Sequence, residues 1–116
     1  MQDDPSRLFH IRDAIAEILD LSDSVSRIDL DSNKMLQYSL IYLLGVVGEA
    51  ANGLSKQFQI DHPEISWRDI ISIRHRLIHG YFDVDLDIIW ETVTRDIPIL
   101  KNQISEILNG FNSDFI

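Results

Sequence analysis

The chain has 116 residues, 45% of them hydrophobic and 25% charged, with a net charge of −9 and no cysteine. That length suits a single domain, residues 1–116, with a core of its own, and the ordinary globular composition excludes a disordered chain. Without cysteine there is no disulfide framework and no thiolate metal site, and the acidic balance argues against broad, non-specific nucleic-acid binding, which needs a basic surface.

Four helical patterns follow in chain order. The first opens with Asp4 as the expected N-cap and Pro5 at the first helical position. Its apolar stripe is Leu8, Ile11, Ile15 and Ile18. Asp3 and Asp4 do not match the basic start and apolar middle of a secretory leader, so a cytoplasmic location is expected. Residues 22–30 are short and mixed, a connector or an extra turn.

The second pattern runs over residues 31–58. Leu36, Leu40, Leu43, Val47, Ala50 and Leu54 recur at three and four residues, the spacing of a core seam. The longest apolar run, residues 40–47, is far short of the roughly 18 residues of a membrane span and reads as a buried helix. The opposite face carries Tyr38, Ile41, Tyr42, Gly45, Glu49, Asn52 and Lys56. A solvated face would hold mostly Lys and Glu, and glycine in a helix interior costs about 1 kcal/mol relative to alanine. Gly45 and Gly48 therefore point to close approach, either by another helix of the same chain or by a second subunit.

Residues 59–65, with Pro63, read as a loop, and Ser66-Trp67-Arg68-Asp69 has the form of a capping box. The third helix carries Ile70, Ile73, Leu77 and Ile78 and is expected to stop at Gly80. Asp85 caps a fourth pattern with Leu86, Ile89, Val93, Ile97, Leu100, Ile104 and Leu108, kinked at Pro98 where a backbone donor is missing. Strand alternation appears nowhere over a useful length. The expected fold is an all-α, up-and-down bundle of four main helices.

The chemistry gathers at the end of the third helix, in Arg74-His75-Arg76-Leu77-Ile78-His79-Gly80-Tyr81. Arginine presents a fixed fork of donors to phosphate, and histidine moves protons near neutral pH. On an unbroken helix Arg74 and His79 would point about 140° apart. Gripping one group requires a break near His79 or a second copy of the motif. Arginine and histidine in a last turn are also favoured simply by the helix dipole, which would act on His79 as well. His75 and His79 at i and i+4 could form a two-ligand metal edge, but no acidic third ligand stands at motif spacing, and His10 and His62 are isolated. No metal and no cofactor is expected, and neither a nucleophile elbow nor a phosphate-cradling glycine loop is present.

At these residues the chain resembles the HepT-like proteins of the HEPN superfamily of small helical ribonucleases. Arg74-x4-His79-x-Tyr81 is similar to their R-x4-H-x-Y signature. Gly48-Glu49-Ala50-Ala51-Asn52 resembles their second-helix stretch, and His79-Gly80-Tyr81-Phe82-Asp83-Val84-Asp85 followed by Ile89-Trp90 resembles the continuation. The resemblance implies a metal-independent endoribonuclease toxin acting as a homodimer. Arg74 would stabilise charge on the phosphate, and His79 would act as general acid or base while the ribose 2′-hydroxyl attacks. His75, Arg76, Glu49 and Asn52 are the supporting, RNA-binding candidates. The implied partners are an RNA substrate and a cognate minimal nucleotidyltransferase antitoxin, which would silence the toxin by adding AMP to Tyr81. The alternative is a HEPN dimer that cuts nothing and serves as that enzyme's binding partner. One position departs from the pattern: the residue after the motif arginine is commonly asparagine, and here it is His75.

Overall fold

The computed structural model describes residues 3–79 and 83–114. The first helix, α1 (Asp4–Ser22), starts one residue earlier than the proline predicts. Asp3 is the N-cap, accepting from the Ser6 backbone N–H at 3.0 Å, which places Pro5 second in the helix. Proline is harmless at either place, because first-turn N–H groups have no helical partner. Asp4 is freed for tertiary use: its carboxylate accepts from the Ser55 backbone N–H at 2.8 Å and from the Ser55 hydroxyl at 2.7 Å.

The mixed segment after α1 forms α2 (Arg27–Ser32), and the long second pattern is cut at both ends. Asn33 caps α3 (Lys34–Gly53) by accepting from Leu36 N–H at 3.0 Å. At the far end Leu54 is extended, with φ −65° and ψ 146°. Ser55 then caps α4 (Lys56–Asp61). Short polar side chains that bond the nearby backbone compete with helix continuation, and they leave no trace in the hydrophobic period. The expected capping box at Ser66 does not form; Ser66 makes no side-chain cap bond. The reciprocal pair is made instead by Ser26 and Asp29 at the start of α2, at 3.0 and 3.2 Å. Hydrogen bonds from the Ser26 backbone and hydroxyl hold the Asp29 carboxyl below the usual carboxylate range, and those from Ser6 do the same for Asp3.

The third pattern is interrupted twice. A turn at Ser72 divides it into α5 (Trp67–Ile71) and α6 (Ile73–Leu77). Beyond Leu77 the chain enters a two-residue strand, β1 (Ile78–His79), paired antiparallel with β2 (Asp83–Val84) in the register Ile78 to Val84 and His79 to Asp83. Two-residue strands are too short to show alternation, so pattern reading missed them. Asp85 caps α7 (Leu86–Glu91) as expected, accepting from Ile88 N–H at 3.1 Å. A π turn over Thr92–Asp96 joins α7 to α8 (Ile97–Asp114). Pro98 has no N–H to offer the Thr94 carbonyl, and the widened turn lies over that carbonyl.

The fold is all-α apart from this small ladder. α1 packs chiefly on α3, α3 on α5 and α6, and α8 returns to α1. The stripe Leu8, Ile11, Ile15 and Ile18 is buried, as are Leu40, Leu43, Val47, Ala50 and Leu54 of the core seam, while Leu36 is only partly covered. Ile89, Val93, Ile97, Leu100, Ile104 and Leu108 complete the core. At about 25 cal/mol per Å² of apolar area, each fully buried Leu or Ile contributes roughly 1.5–3 kcal/mol. Among the described residues, no helix is long and apolar enough to cross a membrane.

Candidate functional site

The glycines of α3 set the geometry of the motif. A Cβ on Gly48 would stand 3.0 Å from the Ile70 carbonyl oxygen and 3.3 Å from Ile73 Cγ2. A Cβ on Gly45 would meet Arg74 Cδ at 3.1 Å. The close approach expected at these glycines is thus made by α5 and α6 of the same chain. Tyr38 and Tyr42 on the same helix are not covered; they are 57% and 71% exposed, beside Met35 at 75%.

Ile73 and Leu77 are buried and pin α6 to the core, which throws Arg74 and His75 outward. The Arg74 stem crosses Gly45 and enters an open groove of about 510 Å³ between α1 and α3. Arg7, His10, Tyr42 and Glu49 share that groove. Arg76 turns the other way. It lines a separate cavity of about 250 Å³ with Asp69, Asp96 and Gln103, and its Nη2 donates to the Asp69 carbonyl at 3.1 Å. His75 and Asn52 are exposed and make no side-chain hydrogen bond among the described residues.

His79 is not in the last turn of a helix. Ile78, with φ −122° and ψ 120°, has already left the helical region, although its N–H still closes on the Arg74 carbonyl. The helical i, i+4 edge of His75 and His79 and the 140° splay of Arg74 and His79 therefore do not apply. His79 is half exposed, and its Nε2 lies 3.6 Å from Asp85 Oδ2. Asp85 is held firmly: its N–H donates to the Leu77 carbonyl at 2.8 Å, and its Oδ1 caps α7. The cap thereby sets a carboxylate beside the imidazole, beyond hydrogen-bond distance but within ion-pair range of a protonated ring, a contact that sequence reading did not anticipate. A residue that caps a helix and follows a histidine motif by six positions is the signal that was available.

Among the described residues, His79 is not one of those that line the groove holding Arg74. Tyr81 lies outside the described residues. Among the described residues, no group of three or more His, Asp or Glu side chains is placed to hold a metal ion. Arg7 and His10 were also missed as groove residues. Their i, i+3 spacing on one face of α1 was legible, but nothing in the sequence joined that face to Arg74.

Comparison with known proteins agrees with the motif. Residues 11–107 match the family model described as "Ribonuclease HepT-like". A protein of Thermococcus cleftensis named "Probable ribonuclease HepT" is 37% identical over 97 residues, covering 80% of this chain and 88% of its own. A protein of Caldanaerobacter subterraneus subsp. tengcongensis, whose name assigns it provisionally to the RNases, is 35% identical over 87% of this chain and 90% of its own. One of Methanocaldococcus jannaschii, provisionally named in the same way, is 27% identical over 84% and 89%. No solved structure matches significantly. With nearly the whole helical core inside the matched stretch, the chain belongs to the ribonuclease HepT-like family.

Proposed function

We propose that this protein is a toxin-type endoribonuclease that cuts RNA without a metal ion. The observation that carries the reading is the state of Arg74. In a chain with 19 carboxylates, its guanidinium has no ion-pair partner among the described residues and stands in an open groove. Such a group is available to an anion that the fold does not supply, and a phosphodiester fits its forked donors.

In the proposed reaction the ribose 2′-hydroxyl attacks the adjacent phosphorus, and the 5′-oxygen of the next nucleotide leaves. His79 takes the proton of the attacking hydroxyl or returns one to the leaving oxygen, and Arg74 binds the charge that builds on the phosphoryl oxygens. His79 is not among the described residues that line the groove of its own Arg74, and in the proposed enzyme a second copy of the chain completes the site. The exposed Tyr38, Tyr42 and Met35 provide an apolar surface for that copy. A nucleotidyltransferase partner would silence the enzyme by adding AMP to Tyr81, placing phosphates where the arginine awaits RNA.

The test is RNA cleavage in EDTA by wild type, Arg74→Ala and His79→Ala, each shown to be folded. Loss of cleavage in both variants is expected. Unchanged cleavage by a rigorously purified His79→Ala protein sinks the assignment. Light scattering at micromolar concentration tests the dimer separately, and a mass consistent with the monomer refutes it. If the folded wild type cuts nothing yet still binds its nucleotidyltransferase partner, the scaffold reading holds instead.

A further inference from the structure

The groove holding Arg74 has a second basic end. Arg7 of α1 lies across Gly53, where any Cβ would collide with its guanidinium. Gly45, beneath the Arg74 stem, is eight residues earlier on α3, so the two arginines are anchored roughly 12 Å apart along that helix. His10 stands one turn on from Arg7 and lines the same groove. Three other arginines, Arg12, Arg27 and Arg95, are ion-paired with carboxylates. Arg7 and Arg74, like Arg68 and Arg76, have no such partner among the described residues; what sets Arg7 and Arg74 apart is that both line this groove.

Arg7 is only partly buried and lines the groove with no carboxylate paired to it, so an anion from outside the fold is favoured at that end. Glu49, exposed and midway between the two glycines, keeps a carboxylate between the ends. It opposes an anion at the middle of the groove and leaves one seat at each end. A separation of roughly 12 Å exceeds the spacing of successive phosphates along a strand, so the two seats suit different phosphates of one RNA.

We infer that Arg7 and His10 form a phosphate-binding subsite for a part of the RNA strand that is not cut, at the opposite end of the groove from Arg74. Arg7 and His10 lie before the stretch matched by the family model, residues 11–107. The inference rests on the ribonuclease reading for the identity of the strand. It concerns positioning of the substrate, not the bond-breaking step.

The probe is a single-stranded 2′-O-methyl oligoribonucleotide, which has no free 2′-hydroxyl and cannot be cut by the proposed route. Its affinity is measured by fluorescence anisotropy across a range of potassium chloride concentrations. Arg7→Gln should bind about tenfold more weakly at low salt, and its salt slope should fall by about 0.7, the value for one phosphate of a single strand. Arg7→Lys should keep most of the slope. His10→Asp, at an exposed position, should weaken binding at least as much, and it decides the matter if Arg7→Gln fails to fold. Ser105→Asp, which adds the same charge outside the groove, should change affinity less than twofold.

Wild-type affinity and slope in Arg7→Gln, or equal losses in His10→Asp and Ser105→Asp, would overturn the subsite. If that happens while the wild type cuts RNA and His79→Ala does not, the subsite alone has failed. Binding that depends on Arg7 without any cleavage removes the ribonuclease reading and keeps the subsite. A wild type that neither binds nor cuts removes both.

Discussion

Replacing Gly48 by alanine adds one methyl group where α3 crosses α5 and α6 at close range. In an open helix interior that change would stabilise by about 1 kcal/mol, because alanine loses less backbone freedom. Here the methyl would stand 3.0 Å from a backbone carbonyl of α5 and 3.3 Å from the buried side chain of Ile73. Neither can swing away, and overpacking of this kind costs about 1–3 kcal/mol. The expected net loss is about 1 kcal/mol, or about 4 °C in Tm for a domain of this size. Gly45→Ala makes an instructive partner. Its methyl would meet only the flexible stem of exposed Arg74, at 3.1 Å, so most of the helical gain survives and Tm should rise by about 2–4 °C. The displaced guanidinium should nevertheless lower RNA cleavage by about 10–100-fold, since small misplacements are expensive at a reacting centre. Gly110→Ala, with nothing within 4 Å, gives the reference gain. Thermal unfolding at one protein concentration and a cleavage assay read both effects. A Gly48→Ala protein as stable as wild type, or a Gly45→Ala protein that cuts normally, refutes the packing argument at that position.

Gln37 is buried and donates its Nε2 to the Leu30 carbonyl at 2.9 Å and the Asp31 carbonyl at 3.3 Å. Gln37→Ala should cost about 1–3 kcal/mol by orphaning those acceptors, read by urea unfolding with an unchanged m-value. Asp85→Ala should lose about 1 kcal/mol with the α7 cap, whereas Asp85→Asn keeps the cap and should stay within about 0.5 kcal/mol of wild type. Both should slow RNA cleavage by removing the carboxylate beside His79; normal cleavage by the folded Asp85→Asn protein would deny that carboxylate a role. The Asp3 and Asp29 carboxyls titrate below their ordinary value in the folded chain. The stability they contribute is therefore present above the unfolded carboxylate value near 3.8 and is lost as pH falls through the lower folded values. Asp29→Asn should accordingly show a shallower loss of Tm between about pH 4 and pH 2, and an identical slope would contradict the assignment.

Much of this molecule was legible in its residues. The stripes of α1, α3 and α8 are strong because hydrophobic period survives any choice of partner. The Arg74–His79–Tyr81 spacing is likewise independent of how the helices pack. Breaks were harder to read. Asn33, Ser55 and Ser72 end helices through local hydrogen bonding or a turn, and the apolar period runs through all three unbroken. The same blindness placed His79 on a helix, when the chain had already entered β1 one residue before it.

The order of residues by itself determined an all-α core, the family and the chemical types gathered around Arg74, because these depend on periodicity and identity along the chain. Which groups meet was decided only in three dimensions. Gly45 admits the Arg74 stem, Asp85 sets a helix cap beside His79, and Arg7 reaches the groove from a helix almost seventy residues away. Such meetings depend on where backbones cross and how closely, and a one-dimensional pattern holds no record of that distance.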